Sequence, residues 1–141
     1  MTVSQLYPRL VVGRADDAIA FYRDAFGAEL VERYTDGAGQ VVHALLRAGT
    51  AIWAIKDGDD VDAPPAGPSG VILALYVDDP DAVAAAMVAG GGSVIFEVAD
   101  HAYGDRGGRI ADPFGHSWMV ATRTEDLTAE QVQQRTETAY P

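Results

Sequence analysis

At 141 residues with 48% apolar content, the chain has the size and composition of one ordinary globular domain with its own core, which excludes a disordered or low-complexity protein. Ten basic against twenty-one acidic residues give a formal charge of −11, which repels nucleic acid and anionic membrane and favours cationic partners. The absence of cysteine excludes disulfides, thiolate metal sites and a cysteine nucleophile. Residues 1–9 show no basic segment followed by an apolar one, so a cytoplasmic location is expected.

Residues 6–12 read as a strand, after which Asp16 or Asp17 is placed to cap a helix with Ala18, Phe21, Tyr22 and Ala25 on its apolar face. Gly27 stops that helix. Residues 29–34 form the next strand, Asp36-Gly37-Ala38-Gly39 a turn, and 40–47 with 51–56 a hairpin. The Asp, Gly and Pro content of residues 57–69 marks a linker. The same order then restarts. Residues 71–77 are a strand, Asp79 caps a helix with Pro80 at its first position, and Val83, Ala84, Met87 and Val88 supply the buried stripe. After Gly90-Gly91-Gly92, strands are expected at 93–98, 106–111 and 116–122, with Asp112-Pro113-Phe114-Gly115 turning the last hairpin.

The fold class expected from the order of elements is therefore α+β, built from two βαβββ modules. Module one spans 6–56 and module two 70–122, within a single domain covering 1–141. An offset of 65 carries Val12 to Val77 and Gly27 to Gly92, and an offset of 66 carries Gly49 to Gly115. A C-terminal helix over 127–138 opens on a capping box of Thr128 and Gln131 with a staple of Leu127 and Val132.

The run Leu6-Tyr7-Pro8-Arg9-Leu10-Val11-Val12-Gly13, with Ala18-Ile19-Ala20-Phe21-Tyr22 and Phe26-Gly27-Ala28, resembles the opening module of the glyoxalase/bleomycin-resistance/dioxygenase (vicinal oxygen chelate) superfamily. Tyr76-Val77-Asp78-Asp79-Pro80-Asp81-Ala82, Tyr103-Gly104-Asp105-Arg106, Asp112-Pro113-Phe114-Gly115-His116 and Trp118 resemble its PhnB-like branch. The resemblance implies that the two modules form curved sheets around a ligand cup, usually in a homodimer. It also implies metal-ligand positions on the first and last strands of each module, which fall here at Tyr7, Trp53, Ile72 and Met119. None is a usual hard-cation ligand, so no metal and no cofactor is expected.

Strand alternation adds Arg9 and Val11 to the face of Tyr7, Ile55 to that of Trp53, Tyr76 to that of Ile72, and Ala121 to that of Met119. The 66 offset pairs His43 with Arg109, while His101 and Tyr103 sit in a loop placed to overhang the cup. Three functions fit this reading. In the leading one, Tyr7, Trp53, Ile55, Ile72, Tyr76, His101, Tyr103 and Met119 bind an aromatic or cationic small molecule without metal, as in drug sequestration and antibiotic resistance. In the second, His43 is the base of a lyase or isomerase, with Arg9 or Arg109 stabilising an oxyanion. In the third, the protein is a dimeric structural or partner-binding protein with a vestigial cup. His116 is read as structural.

Overall fold

The structure, a computed structural model, describes the whole chain from Met1 to Pro141. Its residues cluster into two compact units, one of Met1–Ser69 with Pro113–His116, the other of Gly70–Asp112 with Ser117–Pro141. No helix is long and apolar enough to cross a membrane.

In the first unit, β1 (Arg9–Val12), α1 (Ala15–Phe26), β2 (Glu29–Thr35), β3 (Val41–Ala48) and β4 (Ala51–Asp57) form a four-stranded sheet of order β1-β4-β3-β2 with α1 on one face. β1 runs parallel to β4, and the other pairs are antiparallel. Strand β1 starts later than its apolar pattern does, at Arg9, because Pro8 has no N–H to give the ladder and Leu6 stays exposed. The apolar stripe of α1, which includes Ala18, Phe21, Tyr22 and Ala25, is buried as its spacing requires. Gly27 closes the helix with φ 67°, a left-handed conformation that favours glycine.

The start of α1 differs from expectation. Neither Asp16 nor Asp17 caps it; the N-cap position is Arg14, with no side-chain cap. The carboxylate of Asp57, at the end of β4, accepts from Ala15 N–H at 2.7 Å and from Val41 N–H at 2.8 Å. A helix donor that local sequence leaves unpaired is thus satisfied from across the sheet. Asp16 instead holds Arg33 through two contacts of 2.9 Å, which keeps its carboxyl below the ordinary range.

In the second unit, β5 (Ile72–Tyr76), α2 (Pro80–Ala89), β6 (Ser93–Asp100), β7 (Asp105–Ala111) and β8 (Ser117–Arg123) repeat the arrangement with order β5-β8-β7-β6. Asp79 caps α2 by accepting from Ala82 N–H, and Pro80 opens it. Ala84 and Met87 are buried, whereas Val88, expected in the stripe, is 45% exposed. α3 (Ala129–Ala139) carries both halves of the Thr128–Gln131 capping box and buries no residue.

The two modules correspond at two offsets. Arg9 pairs with Ala54 and Ala74 with Met119, so β1 and β4 map to β5 and β8 at +65. Leu45 pairs with Ala54 and Arg109 with Met119, so β3 maps to β7 at +64. The β7–β8 turn holds one residue more than the β3–β4 turn, and Gly115 corresponds to Thr50 rather than Gly49. Aligning the two glycines therefore shifted β4 by one residue, and a one-residue shift exchanges the faces of a strand.

Candidate functional site

The open face of the second sheet, opposite α2, builds a cavity of about 300 Å³. Register explains its contents. Phe96 on β6, Arg109 on β7 and Met119 on β8 are directly paired and form one row across three strands. In the next row Gly107 faces Ala121 and leaves the floor low; a Cβ at Gly107 would stand only 2.8 Å from the Ala121 Cβ. His101, Tyr103 and Tyr140 complete the wall.

His101 is fixed in orientation. Its Nε2–H donates to the Gly107 carbonyl at 2.9 Å, and its ring stacks on Tyr103 at 5.1 Å with 4° between planes. Burial holds the Tyr103 phenol above its usual pKa. The Arg109 guanidinium lies 5.2 Å above the Phe96 ring, in range for a cation–π contact. The wall is thus mostly aromatic and apolar, with few polar groups, as in sites for small organic molecules.

Of the residues chosen from sequence, His101, Tyr103, Met119 and Arg109 come together in this cavity. Ile72 and Tyr76 lie on neighbouring β5, both about half exposed but outside the cavity lining. The Tyr76 hydroxyl donates to buried Asp105 at 2.7 Å, which raises its pKa. Tyr7 precedes β1 in the first unit and is partly buried.

Trp53 and Ile55 are corrected. Trp53 is 2% exposed and packs edge-on against Tyr22 at 5.7 Å and Phe26 at 6.1 Å, both from α1. It belongs to the core under the helix, and Ile55, fully buried on the same face, goes with it. At the +65 offset the open-face partner of Met119 is Ala54. The pairing of His43 with Arg109 falls for the same reason, since Arg109 corresponds to Leu45 and His43 to Gly107.

His43 lies in the first unit between two charged groups. An Arg9 N–H meets its Nδ1 at 2.9 Å, and its Nε2 faces Glu32 at 3.2 Å. Because arginine only donates, Nδ1 accepts and Nε2 carries the proton toward Glu32. Tyr34 stacks on the ring at 6.0 Å. The lone pair that a general base needs is already occupied. His116 donates from Nε2 to the Val11 carbonyl at 2.9 Å, a structural bond.

The acidic linker is also organised. Lys56 Nζ donates to Asp59 at 2.7 Å and to Asp62 at 2.6 Å, and Asp59 Oδ1 accepts from the Val61 and Asp62 backbone N–H groups. These bonds lower the Asp59 pKa to about 2, led by the one from Lys56.

The residues that sequence reasoning missed are Phe96, Tyr140 and the two glycines of the floor, Gly107 and Gly108. Phe96 was within reach, because the strand pairing that carries Arg109 to its neighbour on β6 leads to it. Tyr140 follows a polar helix whose sequence carries no sign of where that helix docks.

The metal positions implied by the resemblance do not fit a metal. With the register corrected they carry Tyr7, Ala54, Ile72 and Met119, and nowhere do three His, Cys, Asp or Glu side chains gather.

A pair of βαβββ modules, each with its helix on one sheet face, defines the class of protein. Residues 4–120 match the profile of the Glyoxalase/Bleomycin resistance protein/Dioxygenase superfamily, and the chain belongs to that superfamily. An uncharacterized protein of Mycobacterium bovis is 32% identical over 135 residues, covering 91% of this chain and 89% of that one. Among solved structures, the fosfomycin resistance protein FosX of Listeria monocytogenes aligns with TM-score 0.71 at 17% identity, covering 93% of this chain and 99% of that one. An Arabidopsis thaliana gene product aligns with TM-score 0.65 at 26% identity, covering 85% and 99%.

Proposed function

We propose that the protein binds a small amphipathic molecule in the cavity of its second module, without a metal, and acts by holding that molecule rather than by transforming it. The observation that carries this reading is the row Phe96–Arg109–Met119 over a floor of Gly107 and Ala121, walled by His101 and Tyr103. Apolar walls supply affinity there and the few polar groups fix orientation.

FosX is described as a fosfomycin resistance protein, and one of its structures is complexed with Mn(II). The present chain has Tyr7, Ala54, Ile72 and Met119 where the superfamily resemblance puts metal ligands, which supports binding without metal. The motifs between Tyr76 and Trp118 support placement in the PhnB-like branch. The lyase or isomerase reading has less support, because Arg9 occupies the Nδ1 lone pair of His43. A homodimer is supported by apolar side chains exposed on edge strands, Leu30 and Tyr34 on β2 and Val94 and Phe96 on β6.

A thermal-shift screen of small aromatic and amphipathic compounds, run with EDTA and with added divalent metals, tests the proposal. Stabilisation by a compound class independent of metal supports it. Stabilisation that requires metal, or one zinc, nickel, manganese or iron per purified chain, overturns the metal-free part.

A further inference from the structure

Resting on the small-molecule reading above, we infer that the cavity of the second module selects an anionic ligand: a flat apolar body carrying a carboxylate, sulfonate or phosphate group that pairs with Arg109. This reverses the preference for cations that the net charge of −11 implies.

Three observations support it. Arg109 has no carboxylate partner, although the chain has twice as many acids as bases and six of its ten basic residues sit in ion pairs. Its Nε is buried and meets no hydrogen-bond acceptor in the protein. Buried polar atoms of this kind are rare in folded proteins. Finally, none of the nine residues lining the cavity is Asp or Glu, so no carboxylate of the lining competes with a ligand for Arg109.

The geometry fits an oxyanion attached to an apolar body. The Arg109 Cζ lies 5.2 Å from the Phe96 ring centroid, in range for a cation–π contact that leaves the guanidinium N–H groups as its polar outlet. A guanidinium offers parallel N–H donors spaced for the two oxygens of a carboxylate, sulfonate or phosphate. Tyr103 and Met119 provide surfaces for a flat apolar group on the same ligand. The Arg109 backbone is held from both sides, paired to Phe96 on β6 and to Met119 on β8.

The test uses two fluorescent probes with the same anilinonaphthalene body. 8-Anilinonaphthalene-1-sulfonate carries the anion, and N-phenyl-1-naphthylamine lacks it. Affinities are measured for the wild type, for Arg109→Met, which keeps the alkyl stem, and for Arg47→Met, which removes an exposed arginine from the other unit. Circular dichroism confirms that each variant is folded. The sulfonate is expected to bind the wild type at least tenfold more tightly than the neutral probe. Arg109→Met should weaken the sulfonate roughly tenfold or more while leaving the neutral probe within about twofold, and Arg47→Met should change neither. Equal binding of the two probes by the wild type, or a sulfonate affinity unmoved by Arg109→Met, overturns the anion inference and leaves small-molecule binding standing. Failure of both probes to bind the wild type overturns the inference together with the reading on which it rests.

Discussion

Trp53 and Trp118 occupy the same position of the repeated module: they stand 65 residues apart, each on the last strand, on the sheet face that its own module's helix covers. Trp118 donates from Nε1 to Asp112 at 2.8 Å, and Trp53 packs against Tyr22 and Phe26. Neither is a cavity residue. Trp53→Ala should therefore destabilise the fold by about 3–5 kcal/mol, as large aromatic truncations in a core do. It should leave probe affinity of the folded protein unchanged. Urea unfolding gives the first number and fluorescence titration the second; a normal stability with lost binding would return Trp53 to the cavity.

Asp57 carries two structural N–H groups on one carboxylate, from Ala15 and from Val41. Removing it leaves the first turn of α1 and the start of β3 without their acceptor. Asp57→Ala is expected to cost about 2–4 kcal/mol, given that each bond to a charged group contributes about 1.5–3 kcal/mol. Asp57→Asn keeps one acceptor oxygen and should cost less. If both variants unfold at the wild-type urea midpoint, the helix start is not held in this way.

The Lys56 clamp should have an acid signature. Asp59 titrates at about 2 in the folded protein against an ordinary 3.8, because Lys56 and two backbone N–H groups favour its charged form. Its stabilising contribution is complete above the ordinary value and is lost as pH falls from about 4 toward 2. An NMR titration of the Asp59 carboxyl should show this depressed midpoint, and Lys56→Met should move it back up. An Asp59 midpoint near 4 in the wild type would contradict the clamp.

Much of the architecture is local and so was readable from sequence. The Thr128–Gln131 box, the Asp79 cap with Pro80 behind it and the Gly27 stop each specify a backbone event within a few residues, and each is present. The site was less readable because it depends on register, which a sequence repeat specifies only as well as its turns can be aligned. One additional residue between β7 and β8 makes the equivalent of Met119 lie 65 rather than 66 residues back, which puts Trp53 on the wrong face, while His101 and Tyr103 are placed by their loop without that alignment. Asp57 was hidden for a different reason: its two donors come from residues 42 and 16 positions away.

The most direct test of the central claim is to map where a small molecule binds. Amide chemical shifts can be followed while 1-naphthol, a neutral bicyclic probe, is titrated in the presence of EDTA. The ligand-cavity account expects saturable shifts centred on Phe96, His101, Gly107, Arg109, Met119 and Ala121, with the amides around Trp53 and His43 unmoved. Shifts centred on His43 and Arg9, or binding that appears only after metal is supplied, would contradict it.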